Sequence, residues 1–128
     1  MAEMSNYLEN ALINGTLRGT TYTAPTTVYV GLYTSDPTDA DTGTEVSGGS
    51  YARQSVTFGA PSNGVSTNSA AIEFPQATAS WGTVGWIGIE DALTSGNLLY
   101  HTALDTSKTI DTGDIFKIAI GSLSVTLA

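Results

Sequence analysis

Residues 26–35 read TTVYVGLYTS. In an extended chain Val28, Val30 and Leu32 fall on one side and Tyr29 and Tyr33 on the other. Period two built from β-branched and aromatic residues specifies a strand rather than a helix. The pattern recurs at residues 50–58 (SYARQSVTF), 70–74 (AAIEF, closed by Pro75), 82–90 (GTVGWIGIE), 97–104 (NLLYHTAL), 115–120 (IFKIAI) and 122–127 (SLSVTL). Turn residues separate these runs: Ser-Asp-Pro at 35–37, Ser-Gly-Gly at 47–49, Pro-Ser-Asn-Gly at 61–64, Thr-Ser-Gly at 94–96 and Asp-Thr-Gly-Asp at 111–114. Short strands at such spacing predict an all-β protein, an antiparallel β-sandwich of jelly-roll or immunoglobulin-like type, over residues 25–128. Glycines within 82–90 point to bulges or close backbone approach.

Residues 1–24 read differently, as a short N-terminal helix and arm. In SNYLENALINGTLRG, Asn6 is placed to cap a helix, with Glu9 three residues on in capping-box spacing. Tyr7, Leu8, Ala11 and Leu12 share a face, and Gly15 weakens or ends the run. Such a face serves either the chain's own core or docking to another subunit.

The chain has 128 residues, the size of one domain, with 41% hydrophobic residues and only 12% charged ones, about half the usual share. Its formal net charge is −8, and its four bases, Arg18, Arg53, Lys108 and Lys117, are scattered. Nucleic acid and anionic membrane, which need clustered Lys and Arg, are poor partners. Without cysteine there is no disulfide, thiolate metal site or Cys nucleophile. The N-terminus lacks the basic region of a secretory signal, and no apolar run reaches membrane-spanning length.

The most acidic stretch is residues 34–54, TSDPTDADTGTEVSGGSYARQ. A calcium loop of EF-hand type fails here: counting from Asp39, the third ligand position is Gly43, and Glu45 comes too early, which leaves an irregular calcium site of loop carboxylates and backbone oxygens as the alternative. Turn chemistry fits better. Asp36 before Pro37 caps a single turn with Asp39 near its positive end, and Ser-Gly-Gly returns the chain to the next strand. The stretch reads as a long polar connection of the kind that carries contacts, with its acids expected to face Arg53 or Lys117 of a neighbouring copy.

No catalytic pattern appears. His101 and Asp105 would lie about 13 Å apart along one strand face, and there is no nucleophile elbow. A single histidine makes no multi-histidine metal site away from a symmetry axis. Glu90 and Asp91 point to opposite faces, so they do not flank one glycosidic bond, and they read as a solvated strand end. Trp81, Trp86, Phe58, Phe74 and Phe116 read as core, with an exposed Trp–Tyr platform for sugar as the alternative. No catalytic residue, cofactor, metal or small-molecule substrate is therefore assigned.

The segments NYLENALIN, TVYVGLYTSDPTDADTGTEVSGGSYARQ, ATASWGTV, GIED, GNLLYHTAL and GSLSVTL, in this order, resemble a family of small structural proteins of tailed bacteriophages. Such proteins are commonly labelled tail-fibre or minor tail proteins, and similar β-sandwich proteins serve as capsid cement, often as trimers. The resemblance implies a non-enzymatic component of the phage particle. The expected role is a decoration protein on the outer head surface, binding the major capsid protein and itself as a homotrimer. A tail-fibre, minor tail or receptor-contact module is the alternative, and a carbohydrate-binding module or hydrolase the third reading. The absence of heptads, collagen-like triplets or long repeats in the sequence favours cement over an elongated fibre. Expected contacts are Tyr7, Leu8 and Leu12 on the helix, and Asp36, Asp39, Asp41, Glu45, Tyr51 and Arg53 on the acidic loop and the strand entry after it.

Overall fold

The structure, a computed structural model, describes residues 2–127. Five strands form the main antiparallel sheet: β1 (Glu3–Met4), β2 (Val28–Tyr33), β3 (Gln54–Val56), β6 (Gly82–Glu90) and β7 (Leu98–Ile110). Their order is β1-β7-β6-β2-β3. Two antiparallel ribbons complete the fold: β4 (Val65–Thr67) with β9 (Ser124–Thr126), and β5 (Ile72–Glu73) with β8 (Lys117–Ile118). The expected sandwich is present, with one broad layer facing two short ribbons.

The apolar residues of the alternation form the core between these layers. Val30 and Leu32 of β2, Val56 of β3, and Val84, Ile87 and Ile89 of β6 meet Ile72, Phe74, Phe116, Ile118 and Leu123. Phe74 sits at the centre, 1% exposed. It meets Phe116 edge-on at 5.7 Å and stacks with Tyr51 at 6.1 Å. Trp81 lies edge-on to both Phe74 and Tyr51, and its indole N–H donates to the Gly49 carbonyl at 2.9 Å. Phe58 packs half-buried at the margin of this core, whereas Trp86 is half-buried and pairs in register with Tyr33.

The helix α1 (Asn6–Leu17) is capped one residue earlier than expected. Ser5, 2% exposed, accepts from the Leu8 amide at 3.2 Å and donates its hydroxyl proton to the Leu98 carbonyl. It thus joins the helix end to β7, whereas Asn6 is the exposed first residue of the helix itself. Gly15 does not end the helix. It stops at Arg18, and the chain leaves through Gly19 at φ +69°. The N-terminal segment also supplies β1, pairing Glu3 with His101 and Met4 with Tyr100.

Several strands are shorter than the alternation suggests. Only residues 54–56 of 50–58 pair as a strand, because Tyr51 and Arg53 turn inward to other partners. β7 is longer and irregular: Val84 pairs with Lys108 but Trp86 with Ala103, so two steps along β6 match five along β7. The surplus is taken up opposite Gly85, a bulge of the kind its glycine foreshadowed.

Asn68, 1% exposed, staples the ribbons together. Its side-chain amide donates to the Ala70 and Ala119 carbonyls at 2.9 and 3.0 Å, and its carbonyl accepts from the Leu123 amide at 2.9 Å. Asn68→Ala strands these buried groups and is expected to cost about 2 kcal/mol or more. Phe74→Ala should cost about 3–5 kcal/mol through the cavity it leaves. Urea unfolding measures both, and losses within 0.5 kcal/mol would contradict these assignments.

Candidate functional site

Two glycines face each other in the middle of the main sheet, Gly31 on β2 and Gly88 on β6. A methyl group at Gly31 would lie 2.9 Å from Glu45 Oε2, and one at Gly88 would lie 2.7 Å from Tyr33 Cε1 and 2.9 Å from Glu90 Oε1. The pair opens a hollow over the sheet that polar side chains fill.

Arg53 is the hub. Its Nε and Nη2 donate to the two oxygens of Glu45 at 2.8 Å each, a bidentate fork. Its Nη1 donates to the Ala92 and Ser95 carbonyls at 2.8 Å, and Nη2 stands 4.0 Å from Glu90 Oε2. Tyr51 donates to Glu45 at 2.6 Å while its oxygen accepts from the Leu32 amide at 3.0 Å. Tyr33 donates to Glu90. The guanidinium side chain is 8% exposed and that of Glu90 2%.

The electrostatics follow from this burial. The hydrogen bonds it donates to Glu45 hold the Arg53 guanidinium charged against its desolvation. Burial, then the carboxylate acceptors, push the Tyr33 and Tyr51 hydroxyls up, so both remain donors. Burial also raises the Glu90 carboxyl, although the Tyr33 hydrogen bond and the Arg53 charge pull it down. The sequence reading of Glu90 as a solvated strand end is thus corrected: the residue is 1% exposed and closes the sheet's polar face. Asp91 does behave as a turn residue, accepting from the Asn97 amide at 2.7 Å and its side-chain amide at 3.0 Å.

The acidic loop lies beside this cluster, braced from within. Asp36 accepts from the Thr38 amide at 2.9 Å, the Thr42 amide donates to the Pro37 carbonyl at 2.6 Å, and Ser35 accepts from the Thr44 amide at 2.8 Å. Gly43 is obligatory, since a methyl group there would lie 2.7 Å from Pro37 Cα. The returning arm then covers the β2 edge, Val46 donating to Leu32 at 2.9 Å. The loop's middle is tied to the sheet: Asp39 Oδ1 lies 2.7 Å from His101 Nε2, and the Asn6 amide donates to the Asp39 carbonyl at 2.8 Å.

The expected contact residues thus separate into three groups. Glu45, Tyr51 and Arg53 come together inside one chain, where Arg53 is engaged by Glu45. Lys117 stands 3.9 Å from Glu73 of its own ribbon, and both side chains are exposed. Asp36 and Asp39 flank His101, while Asp41 is exposed. On the helix Leu8 is buried, Leu12 half-buried and Tyr7 42% exposed. Sequence reasoning missed Tyr33 and Glu90 as partners of this cluster. The available signal was the glycine alternation of GWIGIE, which puts Gly88 and Glu90 on one face.

Raising the Glu90 carboxyl has a pH consequence. Folded Glu90 binds its proton more tightly than unfolded Glu90, so its contribution is fully present below the unfolded value and is lost as pH rises through the raised one. Glu90→Gln keeps an acceptor for Tyr33 and removes the titration. The stability of Glu90→Gln relative to wild type should therefore increase from about pH 4 towards neutrality. Urea midpoints at several pH values check this, and a difference that shrinks with rising pH contradicts it.

A search of curated proteins finds no match to the chain. A protein-family comparison does: the family described as podophage GP4 fiber I protein gp80 matches residues 3–126. That span takes in every strand, the helix, the acidic loop and the Arg53 cluster, and the chain belongs to this family.

Proposed function

We propose that the chain is a globular, non-enzymatic structural module of a phage fibre, held in the particle through the outer face of α1. The observation that carries this reading is the family match over the whole folded body. A fibre-family member is a virion component that meets other virion proteins. The Arg53 cluster suits a structural part, because its charged groups bind chain segments to one another. The compact body argues for a knob or joint within the fibre rather than its shaft. Self-association as a homotrimer belongs to the same reading, and light scattering of the purified protein tests it.

The docking face in this proposal is centred further along the helix than Tyr7, Leu8 and Leu12. Leu8 faces inward, whereas Ile13 is 52% and Leu17 79% exposed, one helical turn apart on the same side. An apolar pair in that position suits a partner of the same particle. Deleting residues 1–18 would also remove β1 and the Ser5 cap, so point substitutions are the cleaner probe. Ile13→Asp with Leu17→Asp should change stability by no more than about 0.5 kcal/mol per site, as exposed positions do. Incorporation into particles should fall at least tenfold. Full incorporation of a folded double variant would refute the docking face.

Decoration of the head shell is the second reading, favoured by the compact body. Copy number separates the two: a handful of copies per particle fits a fibre, hundreds fit a shell. Quantitative mass spectrometry of purified particles, with immunogold labelling, gives the answer.

A further inference from the structure

Beside the Arg53 cluster, three chain segments bring a mixed set of ligand groups to one point. β1 lies on the outer edge of β7 with Glu3 opposite His101. The acidic loop supplies Asp39, with Oδ1 2.7 Å from His101 Nε2. One ligand atom from each of Glu3, Asp39 and His101 lies within 4.8 Å of the others. We propose that these three side chains bind a divalent transition-metal ion of the zinc class, which latches the N-terminal strand and the acidic loop onto β7.

The chemistry selects the ion. An imidazole nitrogen with two carboxylates suits Zn²⁺ or its neighbours, whereas Ca²⁺ calls for six to eight oxygens. Ligands about 2.0–2.2 Å from a tetrahedral ion stand about 3.5 Å apart, so Asp39 Oδ1 and His101 Nε2, now 2.7 Å apart, must open by roughly 0.8 Å to admit the ion while Glu3 swings in from within 4.8 Å. Side-chain rotation supplies this: Glu3 is exposed and the Asp39 side chain 46% exposed, while His101, 7% exposed, is the fixed member. Waters complete the coordination.

Two independent features support a site rather than a chance meeting of charges. First, the buried ring has a carboxylate on each side. Asp36 Oδ1 stands 4.0 Å from Nδ1, beyond hydrogen-bond distance but on the side where metal-binding histidines carry their acceptor, so a small rotation of this exposed side chain would leave Nε2 for the ion. Second, Glu3, Asp36 and His101 line an open cleft of about 320 Å³, so an ion has an entry path. Linear spacing hid this group because its members stand at positions 3, 39 and 101 rather than in one loop.

The test uses the chain's sole histidine. In a tag-free, ¹⁵N-labelled protein the imidazole signals report His101 alone. Titration with Zn²⁺ should shift the Nε2 signal and saturate at one equivalent, with thermal stability rising in step. Glu3→Gln and Asp39→Asn should each weaken binding at least tenfold, and Asp36→Asn should weaken it less. No shift at millimolar Zn²⁺, or a shift unchanged in Glu3→Gln and Asp39→Asn, would overturn the proposal. Should either variant lose its folded amide pattern, Mn²⁺ broadening in the native protein decides: loss centred on residues 3, 39 and 101 upholds the site, and loss centred elsewhere refutes it.

Discussion

A guanidinium buried under the polar face of the sheet is the constraint on which the rest depends. Removing Arg53 from water is costly, and pairing compensates only if its donors are met. Here Nε, Nη1 and Nη2 all have partners, from a carboxylate on the returning arm of the acidic loop and two carbonyls of the β6–β7 turn. Breaking one side would leave an uncompensated charge, at a typical loss of about 3–5 kcal/mol. The cluster therefore fixes which loop lies over which strand. It exists only because Gly31 and Gly88 leave space for it.

This arrangement explains why the acidic stretch is not a free arm. Its return is held by Glu45, its middle by Asp39, and its turn by Asp36, so its charge is largely engaged within the fold. The two faces of the sheet then have different tasks. Aliphatic and aromatic packing against the ribbons supplies most of the hydrophobic stabilisation, while the polar face sets the geometry of loop and helix. The helix is anchored through Ser5 and Leu8 and turns Ile13 and Leu17 outward.

Much of this was legible in the sequence, for identifiable reasons. The strands at 28–33 and 82–90 announce themselves because one face is apolar and buried along most of their length. β1 and β4 are two and three residues long, too short for alternation to register. Asp39 and His101 are 62 positions apart, so only the closed fold shows that they meet. Glu90 misled because acids at strand ends are generally solvated, and no local signal revealed an arginine from across β2. Ser5 and Asn6 cap equally well by residue type, and the choice between them rests on Leu98, far along the chain.

The two-residue strand β1 has a consequence for synthesis. Glu3 and Met4 pair with Tyr100 and His101, and Ser5 is fastened to Leu98. Residues 3–5 must therefore wait until more than ninety further residues have been made before their partners emerge from the ribosome. Until then the leading segment has no edge to join and its helix no sheet to rest on. Closure of the main layer is a late event of high contact order, and slow folding follows from that topology.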